Sequence, residues 1–256
     1  MELELGNSCN LECVMCSGEL SSAIRCNREK LEPCPEQYNE EFLNQFDEFL
    51  PYLEEIRFNG GEPFLNEINY RLWDKIIAVK PQIKVVIATN GTVMNKRVKE
   101  LLGKGRFHIN LSIDSLNKAV YESIRVNAVF EQTMENINWF NEYCKRKKTT
   151  LCILTNPMRQ NWREMPAFID FCNKRNLPLW FNTIRQPIEY ALWTLEPSAL
   201  KEIFETLSGY KFSVNPLKPQ TFHNRKVYHN LVYNQVNTWL SEAAERENKD
   251  KGPNEI

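Results

Sequence analysis

Phe107-His108-Ile109-Asn110-Leu111-Ser112-Ile113-Asp114 is the stretch whose reading decides the fold. Phe107, Ile109, Leu111 and Ile113 alternate with His108, Asn110, Ser112 and Asp114. A strand sends successive side chains to opposite faces, so the two sets part. With helices covering the apolar face, the polar face lies inside, and its residues become functional toward the C-terminal end of the strand. Working outward, further strands are expected at 2–5, 55–59, 83–88, 150–155 and 178–182. Helices are expected at 39–53, 67–79, 94–102, 117–125 and 129–146, where apolar residues recur at helical spacing. Asn161 and Glu164 have the spacing of a helix-capping pair, with a helix following to about 175. Six strand–helix alternations favour a parallel sheet with right-handed crossovers. The expected fold is α/β: a partial (β/α)6 TIM-type barrel over residues 1–182. A mostly helical C-terminal extension, 183–256, packs on that core. It opens with an aromatic loop at 183–195 and a helix near 198–207. A long helix from about 226 carries Tyr228, Val232, Val236, Trp239, Leu240 and Ala243 on one side, and a charged tail frays from about 246.

Composition sets the class. The chain has 256 residues, 42% hydrophobic and 25% charged, enough to bury a substantial core without disulfides. Lys plus Arg is 32 and Asp plus Glu is 33, for a net charge of −1, so no general electrostatic signal for nucleic acid exists. No apolar run approaches the roughly 18 residues of a membrane span, and the acidic Met1-Glu2-Leu3-Glu4 is no signal peptide. The expected location is therefore cytoplasmic. The eight cysteines then sit in a reducing compartment, where clustered cysteines are better read as metal ligands or catalytic groups than as disulfides.

Three of them stand together. Cys9-Asn10-Leu11-Glu12-Cys13-Val14-Met15-Cys16 is a C-x3-C-x2-C run in the loop after the first strand. Thiolates are soft ligands that suit iron–sulfur clusters or zinc. Three of them on one short loop hold a corner of a cubane and leave its fourth iron open to chelate an amino acid's amino and carboxylate groups. A closed zinc site wants a fourth ligand. The alternatives are a zinc knuckle completed by Cys26 or Cys34, or unrelated buried thiols.

Three further segments follow in order: Gly60-Gly61-Glu62-Pro63 after the second strand, Thr89-Asn90-Gly91 closing the third, and Ser112-Ile113-Asp114-Ser115 with the downstream Tyr121-Glu122-Ser123-Ile124-Arg125. Together with the cysteine run, they resemble the radical SAM superfamily, and the last pair of segments resembles its SPASM/twitch branch. The resemblance covers about residues 1–182. It implies a [4Fe–4S] cluster on Cys9, Cys13 and Cys16, and S-adenosylmethionine (SAM) as the second cofactor. It also implies oxidoreductase-type or other radical chemistry, begun by reductive cleavage of SAM to methionine and a 5′-deoxyadenosyl radical. An external electron donor such as flavodoxin or ferredoxin is implied as a partner.

The resemblance also assigns roles. The backbone of Gly60 and Gly61, bare enough to approach a ligand, and Glu62 engage the methionine amino group. Ser112 binds the ribose or carboxylate, and Arg125 pairs with the carboxylate, a contact guanidinium geometry favours. Asn90 helps shape the pocket, although an Asn-Gly turn explains it nearly as well. Met15 stands where the family commonly has an aromatic residue near the adenine, and it is apolar and polarisable enough to serve. Asp114 either contacts substrate or caps the next helix.

SPASM proteins carry extra, usually C-terminal, cluster cysteines, but here no cysteine follows Cys172. Some relatives also carry segments before the barrel, consistent with this chain being the core of a longer ancestor. The branch includes many peptide-modifying enzymes, so a peptide or protein substrate is the leading expectation. A small molecule such as a nucleotide or sugar is the alternative, and a non-catalytic metal- or cluster-binding module is the third reading.

Other residues carry weaker signals. Cys152 and Cys172 are expected as buried packing groups, Cys144 has no C-x2-C partner, and His108 lies too early in its strand to reach the mouth. His223 and His229 lack evident partner ligands. Trp180, Phe181, Tyr190 and Trp193 either line a substrate pocket or pack on the final helix. Met158-Arg159-Gln160 and Arg185 are candidate ligand contacts, and Lys145-Arg146-Lys147-Lys148 reads as a solvated helix end.

Overall fold

The protein is described by a computed structural model covering residues 1–35 and 37–250. The strand–helix alternation is realised in order: β1 (Glu2–Glu4), α1 (Ser22–Asn27), α2 (Glu40–Phe49), β2 (Glu55–Asn59), α3 (Glu67–Val79), β3 (Lys84–Thr89), α4 (Lys96–Lys104), β4 (Phe107–Ser112), α5 (Lys118–Ile124), α6 (Phe130–Lys147), β5 (Leu151–Thr155), α7 (Met165–Arg175) and β6 (Leu179–Phe181). Helices α8 (Pro197–Ser208), α9 (Gln220–His229) and α10 (Asn237–Asp250) follow. Among the described residues the six strands form one sheet in sequential order. The pairings β1–β2, β2–β3, β3–β4 and β5–β6 are parallel. This is the expected partial (β/α)6 barrel architecture with a C-terminal helical extension. Among the described residues no helix is long and apolar enough to cross a membrane.

By compactness the chain divides within β5, upstream of the boundary expected after 182. One unit is Met1–Ile113 with Tyr121–Cys152, and the other is Asp114–Val120 with the chain from Ile153 onward. In the first unit the sheet behaves as the pattern requires. On β4, Phe107, Ile109 and Leu111 are buried while His108, Asn110 and Ser112 are half-buried. Val85, Val86 and Ile87 of β3 are all buried, as befits a strand covered on both faces. Trp73 of α3 is fully buried against Phe58, Phe64, Tyr70 and Phe107, with ring centroids 5.1–6.1 Å apart. Removing such a ring costs about 3–5 kcal/mol. Helix starts are fixed by short polar side chains: Asn39 accepts from Glu41 and Phe42 N–H, Asn66 from Ile68 N–H, and Asn95 from Val98 N–H.

Three local expectations are corrected. Asn161 and Glu164 do not cap a helix. Asn161 accepts from Met158 N–H and donates to the carbonyls of Asp114 and Asn156, while Glu164 accepts from Ser115 and Leu116. Both side chains are consumed by loop contacts, and α7 starts at Met165. The long C-terminal helix starts at Gln220, not 226, and passes through a π-helical stretch, Asn230–Val236, before α10. Helix α10 continues to Asp250, so the part of the expected fraying segment that is described is helical, and residues 251–256 lie outside the described residues. Helix α1, six residues long, was not anticipated.

Candidate active site

The cysteine run leaves β1 as a loop held in place by its neighbours. Ser22, at the start of α1, accepts from Cys9 N–H at 3.0 Å and donates to Cys9 O at 3.1 Å. Its own N–H binds Asn7 O at 2.7 Å. Ser21, the N-cap of α1, donates to Leu11 O at 2.7 Å while accepting from Ile24 N–H. Further along, Glu12 N–H and Val14 N–H donate to Val126 O and Ile124 O at 3.0 and 2.9 Å. That backbone pairing brings Arg125, 5% exposed, beside the loop, with Nη1 4.0 Å from Cys13 Sγ.

The glycine-rich turn presses on the same loop. Gly61 has φ +48°, and a Cβ there would lie 2.4 Å from Ser8 O. Only glycine permits that approach, which is closed by Glu62 N–H donating to Ser8 O at 2.7 Å. Glu62 itself is fully buried and turned inward. Its carboxylate accepts from Thr89 Oγ1 at 2.8 and 2.9 Å, Asn90 N at 2.7 Å and Phe64 N at 3.2 Å. Burial pushes this carboxyl up to about 7, against the pull of those donors and of Arg125. Glu62 therefore ties the end of β2 to the end of β3 and does not line the cavity.

The other candidates for cluster and SAM contact meet. Cys9, Cys13, Cys16, Met15, Gly60, Gly61, Asn90, Ser112 and Arg125 line one cavity of about 260 Å³, with Thr89 and Leu11 among its remaining walls. A larger cavity of about 510 Å³ adjoins it along Glu4, Leu20 and Gly60. Burial raises the pKa of the Cys9 and Cys16 thiols. Binding to cationic iron removes that penalty, because a coordinated thiol is held as thiolate. Among the described residues no three His, Cys, Asp or Glu side chains are grouped to hold a single metal ion. A cubane places each thiolate on a separate iron, and three soft donors around a cavity suit it.

The remaining candidates lie elsewhere. Cys26 and Cys34 are exposed, and Cys34 Sγ accepts from Asn7 Nδ2 at 3.3 Å. Cys144 and Cys152 are buried, their thiols pushed up to about 11 and about 12 by burial, which suits inert packing groups. His108 Nδ1 accepts from Thr150 N–H at 3.2 Å, a structural tie. In the second unit, Asp114 is fully buried and accepts from both nitrogens of Asn156. Arg159 donates to Ala191 O and Thr194 Oγ1, Met158 is buried, and Arg185 is exposed. Trp193 Nε1 donates to Ile184 O, while Trp180, 51% exposed, meets His223 edge-on at 4.9 Å. His229 packs on Tyr233, and Phe181 and Tyr190 are half-buried. The structural ties made by Ser21 and Ser22 were not read from the sequence; only their Ser-Ser position after the cysteine run hinted at a cap.

A family profile described as the radical SAM superfamily matches residues 3–172. The chain belongs to the radical SAM superfamily. The cofactors of this superfamily are a [4Fe–4S] cluster and SAM. A probable GTP 3′,8-cyclase of Methanosarcina acetivorans is 25% identical over 89% of this chain and 66% of its own length. The molybdenum cofactor biosynthesis protein moc-5 of Caenorhabditis elegans is 24% identical over 71% of this chain and 29% of its own length. The radical SAM chain thus spans about two thirds or less of these relatives. Among solved structures, Streptococcus suis SuiB bound to S-adenosylmethionine superposes with TM-score 0.59 at 17% identity, over 82% of this chain and 46% of that one. Native anSMEcpe with bound AdoMet gives 0.58 at 18% identity, over 81% and 59%. At these identities the likeness is one of fold.

Proposed function

We propose that this chain holds a [4Fe–4S] cluster on Cys9, Cys13 and Cys16 and cleaves SAM reductively to modify a small molecule of the nucleotide or sugar class. The observation that carries the reading is the convergence of the three cysteines and six further candidate residues on one cavity. Bound there, cluster and SAM supply one-electron cleavage of the sulfonium C–S bond, giving methionine and a 5′-deoxyadenosyl radical that takes hydrogen from the substrate. The electron comes from an external donor such as flavodoxin or ferredoxin, in the cytoplasm.

The chain's own groups do the positioning. The backbone at Gly60 and Gly61 accepts from the methionine amino group, and Arg125 faces its carboxylate. Ser112 offers a hydroxyl to the ribose or carboxylate, and Met15 gives the adenine an apolar wall. Glu62 braces the turn from behind. Relatives named as GTP 3′,8-cyclases favour the nucleotide class over the peptide expected first from the sequence. The structural neighbours include SuiB with its precursor peptide, but they speak for fold alone.

The test is a cleavage assay on anaerobically reconstituted full chain with dithionite and SAM. 5′-Deoxyadenosine is quantified by chromatography, with the Cys9→Ala/Cys13→Ala/Cys16→Ala variant as control and Cys144→Ala as a loading reference. We expect iron in the wild type and Cys144→Ala but not in the triple variant. Product should exceed the control and rise when GTP, ATP or a nucleotide sugar is added. Equal iron in all three proteins would overturn the ligand assignment, and stimulation by peptides alone would overturn the substrate class.

A further inference from the structure

The Thr89-Asn90-Gly91 turn does more than close β3. Thr92 N–H donates to Asn90 Oδ1 at 2.9 Å, and a backbone N–H can only donate, so the orientation of this amide is fixed. Thr92 Oγ1 donates to the same oxygen at 2.7 Å and accepts from Asn10 Nδ2 at 2.9 Å. Asn90 Nδ2 returns one hydrogen to Asn10 Oδ1 at 3.1 Å. The circuit Asn90–Asn10–Thr92 is then closed. The second amide hydrogen of Asn90 is left for Cys9 Sγ, 3.9 Å away and within reach of an N–H···S contact. Asn90 is 7% exposed, and its backbone N–H is held by Glu62, so the donor has little freedom to turn aside.

We infer that Asn90 is a positioning residue whose amide N–H, locked by Thr92 and Asn10, hydrogen-bonds the Cys9 thiolate and raises the reduction potential of the bound cluster. The inference rests on the proposed function, in which Cys9 is a cluster ligand. Reduction adds one negative charge to the cluster and its sulfurs. A donor aimed at a ligand sulfur stabilises the reduced form more than the oxidised one, and such hydrogen bonds are among the features that set cluster potentials. An Asx turn alone explains the Oδ1 contacts, but aspartate would make that turn equally well. What asparagine adds is the N–H on the sulfur side.

That difference supplies the test. Asn90→Asp keeps the turn and replaces the donor by an anion, and Asn90→Ser removes the amide donor, leaving only a shorter hydroxyl, without adding charge. Full-length wild type and both variants are reconstituted anaerobically. Iron, sulfide and visible absorption are measured first, and the reduced cluster is then titrated by EPR against solution potential without SAM. We expect full cluster content and lower midpoints, with Asn90→Asp below Asn90→Ser. At the wild-type midpoint, the reduced-to-oxidised ratio of Asn90→Ser should fall about tenfold, which is 59 mV for a one-electron couple. Fully loaded variants whose ratios stay within about twofold of wild type would overturn the inference. So would folded Asn90→Ser that takes up no iron, since Asn90 would then serve loop structure. Failure of the wild type itself to take up a cluster would instead count against the proposed function.

Discussion

Replacing Gly61 by alanine tests the close approach on which the site is built. The new Cβ would sit 2.4 Å from Ser8 O, 2.9 Å from Asn7 C and 3.0 Å from Ser8 C. All three are backbone atoms of the loop that leads into Cys9, so no side chain can swing away to make room. Gly61 also has φ +48°, where a Cβ costs about 1–2 kcal/mol. Overpacking against a rigid neighbour adds about 1–3 kcal/mol. Moving the loop instead gives up the 2.7 Å bond from Glu62 N–H to Ser8 O, a loss of about 1 kcal/mol. The expected loss is therefore about 2–5 kcal/mol, large against a usual total of about 5–15 kcal/mol. The assay is urea unfolding followed by circular dichroism, with Gly103→Ala as reference. Gly103 lies in α4, and a methyl group there would meet nothing within 4 Å, so alanine should be neutral or stabilising by up to about 1 kcal/mol. Opposite signs for the two variants, and reduced iron uptake by Gly61→Ala alone, are expected. A Gly61→Ala protein within about 0.5 kcal/mol of wild type would refute the reasoning.

Two further outcomes follow from hydrogen-bonded carboxylates. Glu62 has its folded pKa raised from 4.5 to about 7 by burial, so its contribution is most favourable below pH 4.5 and is lost as pH rises through 7. That loss is on the order of 3 kcal/mol. Urea unfolding at pH 5 and pH 8 should show it in the wild type and show a flatter dependence in Glu62→Gln; parallel slopes would count against the buried-carboxyl reading. Glu164 accepts from Ser115 Oγ at 2.7 Å and Leu116 N at 2.7 Å, with Ser115 fully buried. Glu164→Ala should cost about 1–3 kcal/mol by stranding those donors, read as a fall in Tm of several degrees, while an unchanged Tm would show that water replaces the carboxylate.

Much of this architecture was legible because the signals are local and periodic. The alternation from Phe107 to Ile113 reports its own burial, since each strand residue's face follows from its parity. The cysteine spacing and the paired glycines also speak for themselves, because ligand type and backbone freedom belong to the residue. What escaped depends on partners distant in sequence. The bonds from Thr89 and Asn90 to the Glu62 carboxylate cross from the end of β3 to the end of β2 and leave no local mark in the sequence. Asn161 and Glu164 have capping spacing, yet Asp114, Ser115 and Leu116 compete for them and win. Helix α1 is too short to show a period, and it is fixed by Ser21 and Ser22 bonding the cysteine loop. The π-helical stretch at Asn230–Val236 widens the helix without any change in composition to announce it.

The sheet ends at β1 and β6, and an exposed strand edge is a template for unwanted pairing with another chain. On β6, Leu179 turns its N–H and C=O away from β5. Asn224 Oδ1 accepts the N–H at 2.9 Å, and His223 Nε2 sits 3.1 Å from the carbonyl oxygen. Two side chains of α9 thus occupy the groups that an incoming strand would need. Strand β1 relies on brevity and charge, being three residues long with Glu2 and Glu4 at its ends. One edge is plugged and the other is short and anionic, so a protein that docks here has little to gain from strand addition, and misassembly through the sheet is disfavoured at both edges.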